Sequence, residues 1–169
     1  MKKSLLGSVA FFVFCLTGTT LAQEIPDAII NHEGIGFSRM DEGAVVAYDL
    51  VSAYDEHVVV EADCGAFKAE AKGVSWCFAN AKNKETFEAA TTANGNNPYL
   101  PFVGGHCGLG MANGNLVAKG DPRTAVRIGD HLVLNGRFVV RTRFLQDTER
   151  NVDNALLRYA LAIESGKLK

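Results

Sequence analysis

The sequence lacks a basic excess, a zinc-finger spacing and, beyond its first residues, any long apolar run. Its 17 Lys and Arg are outnumbered by 19 Asp and Glu, which gives a formal net charge of −2. Nucleic-acid-binding domains carry a basic stripe, so this composition argues against a nucleic-acid partner. The four cysteines include no two close ligand pairs. No apolar run reaches the ~20 residues that cross a bilayer, so no membrane span is predicted.

The first 22 residues have the features of a Sec signal peptide. Lys2 and Lys3 give a positive start, residues 5–16 are apolar, and Thr20-Leu21-Ala22 offers small residues at the −3 and −1 positions of a cleavage site. Cleavage after Ala22 would remove 22 of 169 residues, leave 147, and change the net charge from −2 to −4 because two lysines are lost. We therefore expect an exported, periplasmic protein with one domain.

Three cysteines would remain after cleavage, because Cys15 leaves with the signal segment. Cys64, Cys77 and Cys107 form an odd set. In an oxidising compartment an odd number allows three interpretations: one disulfide with a free thiol, an intermolecular bridge, or a site that uses unpaired thiols. The sequence leaves these alternatives open.

Hydrophobic periodicity predicts an α+β fold of small antiparallel hairpins, short helices and a C-terminal amphipathic helix. Residues 23–43, rich in glycine, are predicted to form an irregular arm. The predicted elements that follow are a helix after the N-cap Asp49, a strand His57–Glu61, a hairpin turning at Lys72-Gly73, a helix Ala81–Ala90 capped by Asn80, a second hairpin turning at Gly129-Asp130, an ambiguous segment 135–144, and a final helix through Val152, Leu156 and Ile163 with Gly166 as its stop.

A glycine cluster, Gly104 to Gly110, holds the most chemically distinctive residues, His106 and Cys107. Both side chains bind soft or borderline metals and take part in nucleophilic chemistry. A short helix is predicted from Cys107 to Ala112, which would place both side chains in its first turn. Neighbouring helical residues diverge by roughly 100°. The two side chains therefore need a shared metal at the helix start, or only one of them points into a site.

Five stretches stand in an order and spacing typical of one protein family. They read Tyr48-Asp49-Leu50-Val51-Ser52, Lys72-Gly73-Val74-Ser75-Trp76-Cys77-Phe78-Ala79-Asn80, Gly104-Gly105-His106-Cys107, Gly120-Asp121-Pro122 and Leu132-Val133-Leu134-Asn135. They resemble Tyr-Asp-Pro-Val-Ala, Asn-Gly-x-x-Tyr-x-Phe-Ala-Ser, Gly-Gly-Tyr/Phe-Cys, Gly-Asp-Pro and Leu-Tyr-Leu-Asn of the exported YHS-domain proteins, a TRASH-like family. The resemblance runs from about Ala44 to Tyr159.

The resemblance implies a YHS-like α+β domain over residues 44–166, for which metal binding is the expected property. It also implies a helix in the ambiguous segment 135–144. His106 departs from the family pattern, which has an aromatic residue there, and this change adds a potential ligand. Cys64 and Cys77 have no counterpart in the family pattern, so their role is expected to be particular to this chain.

Three functions follow from these features, and binding is favoured over catalysis. The first is a metal-binding module in which Cys107, His106, Cys77 and Cys64 hold copper or zinc. The second is a non-catalytic structural or interaction module, with a Cys64–Cys77 disulfide and a buried Cys107. The third makes Cys107 a nucleophile with His106 as its base and Asp49 as the orienting group. The expected partner is a metal ion or another periplasmic protein.

Overall fold

Short strands and helices alternate along residues 30–168, which are the residues that this computed structural model describes. The strands are β1 Asn31–His32, β2 Ile35–Gly36, β3 Ser38–Asp41, β4 Ala44–Ala47, β5 Lys68–Ala71, β6 Val74–Cys77, β7 Asp121–Ile128 and β8 His131–Asn135. The helices are α1 Ala81–Ala90, α2 Gly108–Ala112, α3 Phe138–Leu145 and α4 Thr148–Glu164, with a π-helical turn Ser52–Glu56 and a 3-10 turn Phe102–Gly105. The predicted α+β class is confirmed.

The largest sheet has the strand order β1-β2-β6-β5. Strands β5 and β6 form the predicted hairpin, and its two turn residues, Lys72 and Gly73, have φ angles of 55° and 69°. Positive φ at both positions gives the type I′ turn whose twist matches antiparallel strands. Strand β2 adds to β6 in parallel, with Ile35 opposite Ser75. A Cβ at Gly36 would lie 2.5 Å from the ring of Trp76, so glycine allows this close approach.

The N-terminal arm differs from its prediction. Irregular structure was expected over residues 23–43, but the described part of this segment, from residue 30, contains β1, β2 and β3. Strand β3 pairs with β4 through residues Ser38 to Asp41. These strands are two to four residues long and interrupted by glycine, so they show no alternation that the sequence could reveal. The predicted signal peptide, residues 1–22, lies outside the described residues.

Strand β8 contributes buried residues to both of the buried clusters. The first cluster surrounds Trp76, Phe78 and Phe87, and it includes Leu132 and Leu134 of β8. The second cluster surrounds Met111, Phe144 and Tyr159, and it includes Val133 of the same strand. Successive strand residues face opposite sides. Strand β8 is therefore the wall between the two clusters, and its last residue, Asn135, faces the second one.

Several element predictions are confirmed and one is wrong. Helix α1 begins after Asn80, whose side chain accepts a hydrogen bond from the Asn83 N–H group. The ambiguous segment forms α3, and the final helix forms α4. The predicted strand His57–Glu61 does not form; only an isolated bridge joins Glu61 to Tyr48. No helix within residues 30–168 is long and apolar enough to cross a membrane.

Candidate functional site around Cys107

The glycine cluster begins with a left-handed backbone. Val103, Gly104 and Gly105 have φ angles of 46°, 64° and 82°. Glycine adopts this region freely, whereas a β-branched residue there carries a strain of about 1–3 kcal/mol. Val103 is buried, and its carbonyl accepts a hydrogen bond from the His106 N–H group. Packing in the second cluster therefore maintains a strained turn immediately before His106 and Cys107.

The Cys107 thiol is enclosed by backbone donors. Its side chain is 4% exposed, and Cys107 caps α2 rather than lying in its first turn. The Sγ atom accepts hydrogen bonds from the N–H groups of Gly110, at 3.4 Å, and Gly136, at 3.3 Å. A Cβ at Gly110 would lie 2.7 Å from the Cβ of Ala118. The glycine is therefore needed for the close approach that encloses the thiol.

Asn135 completes the enclosure of the Cys107 thiol, and with Gly110 and Gly136 it forms the Cys107 cradle. The sequence interpretation assigned Asn135 no role at this site. Its Oδ1 atom lies 3.8 Å from Cys107 Sγ and accepts a hydrogen bond from the Leu109 N–H group at 3.1 Å. Asn135 is fully buried, and its Nδ2 atom has no hydrogen-bond partner among residues 30–168. Its backbone is fixed by Thr124, whose hydroxyl donates to the Asn135 carbonyl and accepts from the Asn135 N–H group. The Leu132 to Asn135 motif was the signal that could have identified it.

His106 faces a different set of neighbours. Its imidazole is 6% exposed, and the ring centroid lies 6.1 Å from that of Tyr159 in α4. Its Nδ1 atom is buried without a hydrogen-bond partner among the described residues. Burial lowers the pKa of His106 and nearby Lys119 adds to this, although the backbone carbonyls of Ala118 and Leu116 oppose it. The structure therefore favours a neutral imidazole beside α4, apart from the groups that bond Cys107 Sγ.

Cys64 and Cys77 form a disulfide. Cys77 is a fully buried residue at the end of β6, and the two Cα atoms are 4.9 Å apart, which is within the usual range for a disulfide. Cys64 lies in a turn that Asp63 organises by accepting hydrogen bonds from the N–H groups of Gly65 and Ala66. The bridge thus ties this turn to the largest sheet.

The four predicted metal ligands do not form a common ligand set in this form of the protein. The Cys64 and Cys77 sulfurs are bonded to each other, and His106 and Cys107 contact different elements. Within residues 30–168, no group of three or more His, Cys, Asp or Glu side chains is arranged to hold a metal ion. This oxidised donor set does not fit a thiolate-rich copper or zinc site, and metal binding stays a prediction for other states of the chain.

Asp49 is not the orienting group of a catalytic triad. Its side chain is fully buried, and Oδ1 accepts hydrogen bonds from the N–H groups of Val51 and Ser52. Oδ2 accepts from the Ala79 N–H group, at 2.7 Å, and from Asn83 Nδ2, at 2.8 Å. The predicted capping role of Asp49 is confirmed. The predicted contact with His106 is wrong, because none of the four hydrogen bonds to the Asp49 carboxylate comes from His106.

Comparison with known proteins returned no match, whether with a family model, a curated protein or a solved structure. The resemblance to YHS-domain proteins therefore rests on the sequence motifs alone and stays a prediction.

Proposed function

We propose that this protein is an exported, non-catalytic binding module of the YHS-like type, held together by the Cys64–Cys77 disulfide, with Cys107 as a packed structural thiol. The observation that carries the proposal is the cradle around Cys107. Its Sγ atom is buried, and the N–H groups of Gly110 and Gly136 are directed at it. A thiol enclosed in this way contributes to the packing and hydrogen bonding of the fold, and little of its surface is accessible to a binding partner.

The periplasm is the proposed location. The positive start, the apolar segment 5–16 and the small residues before position 23 are typical of a Sec signal peptide. A disulfide is compatible with an oxidising compartment, where such bridges persist. The proposed partner is another periplasmic protein, and the module acts by binding it.

A copper- or zinc-binding module is the second candidate, and one observation favours it. The buried Nδ1 atom of His106 has no hydrogen-bond partner within residues 30–168, so it is available as a ligand in a rearranged state. Such a state requires reduction of the disulfide, because only then are Cys64 and Cys77 free to join Cys107. Soft thiolate and imidazole ligands would suit either metal.

Thiol counting distinguishes the two candidates. The protein is purified from its own periplasm without reductant, denatured and alkylated, and its mass is then measured. The proposal predicts one alkylated cysteine, Cys107, in the chain from residue 23 onward. A Cys64→Ser/Cys77→Ser variant serves as the matched control. It cannot form the disulfide that closes the loop between residues 64 and 77, and Cys107 is the one cysteine that it leaves to be alkylated from residue 23 onward.

A metal titration completes the test. A ligand that binds the native state stabilises it and raises its Tm. Within residues 30–168 the disulfide form lacks a thiolate-rich site, so neither Cu(I) nor Zn²⁺ is expected to raise its Tm. Three alkylated cysteines, together with stoichiometric metal retained after dialysis and a raised Tm, would reject the structural assignment and establish the metal-binding one.

A further inference from the structure

Helix α3 presents an exposed apolar face. Phe138, Val139 and Leu145 are 54%, 57% and 43% exposed, and Phe144 is the buried residue of the helix. At roughly 100° per residue, Leu145, Phe138, Thr142 and Val139 fall within an arc of roughly 120° that is opposite Phe144. The exposed side of the helix therefore carries apolar residues in addition to the buried side with Phe144, which is unusual for a helix on the surface of a domain.

Arginines flank this apolar arc on both sides. Arg141 precedes Leu145 around the helix by roughly 40°, and Arg143 follows Val139 by roughly 40°. Arg137 stands at the N-terminal end. The guanidinium carbon of Arg141 lies 5.0 Å from the centroid of the Phe138 ring, so the cation and the aromatic ring are held together at the surface.

The charge of this segment is opposite to that of the rest of the chain. Residues 131–146 contain three arginines and no Asp or Glu, a formal charge of +3, so a total of −2 leaves −5 for the remainder. Within residues 30–168 no carboxylate pairs with Arg137, Arg141 or Arg143, whereas Arg150 in α4 pairs with Asp147. The positive charge around the apolar arc is therefore available to an anionic surface.

We propose that the exposed face of α3 docks on the anionic headgroups of a phospholipid bilayer. Phe138 and Val139 insert at the boundary between headgroups and acyl chains, while the three arginines extend to the lipid phosphates. An apolar arc with cationic flanks is the pattern of helices that lie in a membrane interface, because long arginine side chains reach the headgroups while the arc is buried. This docking is independent of the function proposed for the whole module.

Vesicle binding tests the proposal directly. The purified protein is mixed with vesicles of phosphatidylcholine alone, or with phosphatidylglycerol added as the anionic lipid, and the bound fraction is measured by sedimentation. We expect binding to the anionic vesicles that weakens with added salt. Arg137→Gln, Arg141→Gln and Arg143→Gln should each raise the half-saturating lipid concentration about fivefold, and the triple variant ~100-fold.

Insertion of the apolar arc is measured separately. Phe138→Ser should weaken binding about tenfold. A Phe138→Trp variant should show a blue shift of fluorescence when anionic vesicles are added, against the constant emission of the buried Trp76. Arg150→Gln and Val58→Ser, an exposed arginine and an exposed valine outside α3, are the matched controls and should bind like the wild type. All variants begin at residue 23, so the positive and apolar residues 1–22 cannot contribute to vesicle binding.

Four results would overturn the proposal. They are failure of the wild type to bind anionic vesicles, equal binding to both vesicle types, unchanged binding by the triple arginine variant, and unchanged binding by Phe138→Ser. Salt-sensitive binding to polyglutamate without vesicle binding would instead assign the face to an acidic protein. A dimer that is abolished by Phe138→Ser, again without vesicle binding, would assign it to a second copy of the chain.

Discussion

Four N–H donors converge on the buried carboxylate of Asp49. Two come from the residues just after it, and two come from Ala79 and Asn83, thirty or more positions away. Asn83 also donates to the hydroxyl of Ser52 at 2.9 Å. At the residue scale, this one side chain joins the π-helical turn, the end of β6 and the start of α1. It acts only as a hydrogen-bond acceptor.

Replacement of Asp49 by Asn tests this role. The substitution keeps the shape but turns one acceptor oxygen into an NH2 group, which would face two N–H donors. Hydrogen bonds to charged groups contribute about 1.5–3 kcal/mol each, so we expect Asp49→Asn to lower the free energy of unfolding by about 3 kcal/mol. The measurement is urea denaturation followed by Trp76 fluorescence.

The matched control is Asp41→Asn. Asp41 is half exposed and forms a surface ion pair with Arg39 at 2.7 Å, so its loss should cost less than about 1 kcal/mol. Equal effects of the two substitutions would contradict the structural role assigned to the Asp49 carboxylate.

We expect His106 to make the free energy of unfolding depend on pH. Burial lowers its pKa in the folded protein, so below the ordinary value of about 6.5 the unfolded chain takes up a proton that the folded chain resists. Stability should therefore be unaffected by this group above pH 6.5 and should fall on acidification, by up to ~1.4 kcal/mol per pH unit, until the folded-state pKa is reached.

Urea unfolding of the wild type and of His106→Gln between pH 7.5 and pH 5 measures this term by difference. The variant should lose stability less steeply as the pH falls. His131→Gln is the comparison. Burial also lowers the pKa of half-buried His131, but nearby Asp130 opposes this shift. Parallel curves for His106→Gln and the wild type would show that His106 does not titrate in this way.

At the scale of elements, local sequence signals determined most of the helices and two hairpins. Asn80 predicted the start of α1, and the spacing of Val152, Leu156 and Ile163 predicted α4, because caps and amphipathic stripes are local properties. The β-branched run His57–Glu61 predicted a strand that does not form. A strand needs a partner along its length, and this run has one isolated bridge.

The candidate site was less predictable, because its geometry depends on contacts that are distant in sequence. Cys64 and Cys77 could be named as one possible pair, but the choice depends on a 4.9 Å Cα separation that only the folded chain has. The enclosure of Cys107 depends on Asn135 and Gly136, 28 and 29 positions away. Adjacency of His106 and Cys107 in the sequence suggested a shared site, whereas the turn directs them to different neighbours.

Gly110 in α2 provides the element-scale prediction. In an exposed helix, Gly→Ala is stabilising. Here the added Cβ would lie 2.7 Å from Ala118 Cβ, so we expect Gly110→Ala to destabilise the protein by about 1–3 kcal/mol, as overpacking does. Thermal and urea unfolding measure the effect.

A double-mutant cycle supplies the control for Gly110→Ala. Because Ala118 carries the clashing atom, Ala118→Gly in the Gly110→Ala background should recover stability, although the same change in the wild type should not increase it. Additive effects of the two substitutions would show that the Cβ contact is not the cause.

On the scale of the whole molecule, β8 contributes buried residues to both clusters. Leu132 and Leu134 pack against the Trp76 side, and Val133 packs against the Met111 side. All three side chains are less than 4% exposed. A strand that is buried on both faces cannot leave one cluster without exposing apolar area of the other, so we expect the two clusters to unfold as one cooperative unit.

Met111→Ala tests this coupling, because Met111 belongs to the second cluster and Trp76 to the first. Truncation of a fully buried methionine should destabilise its own cluster by about 2–5 kcal/mol. If β8 couples the clusters, the urea midpoint that Trp76 fluorescence reports will fall as much as the midpoint from far-ultraviolet circular dichroism, because both probes follow the same all-or-none transition. Two results together would contradict this coupling: a Trp76 midpoint that keeps its wild-type value and a dichroism curve that splits into two steps. They would show that the face of β8 carrying Leu132 and Leu134 remains packed after the face carrying Val133 has opened.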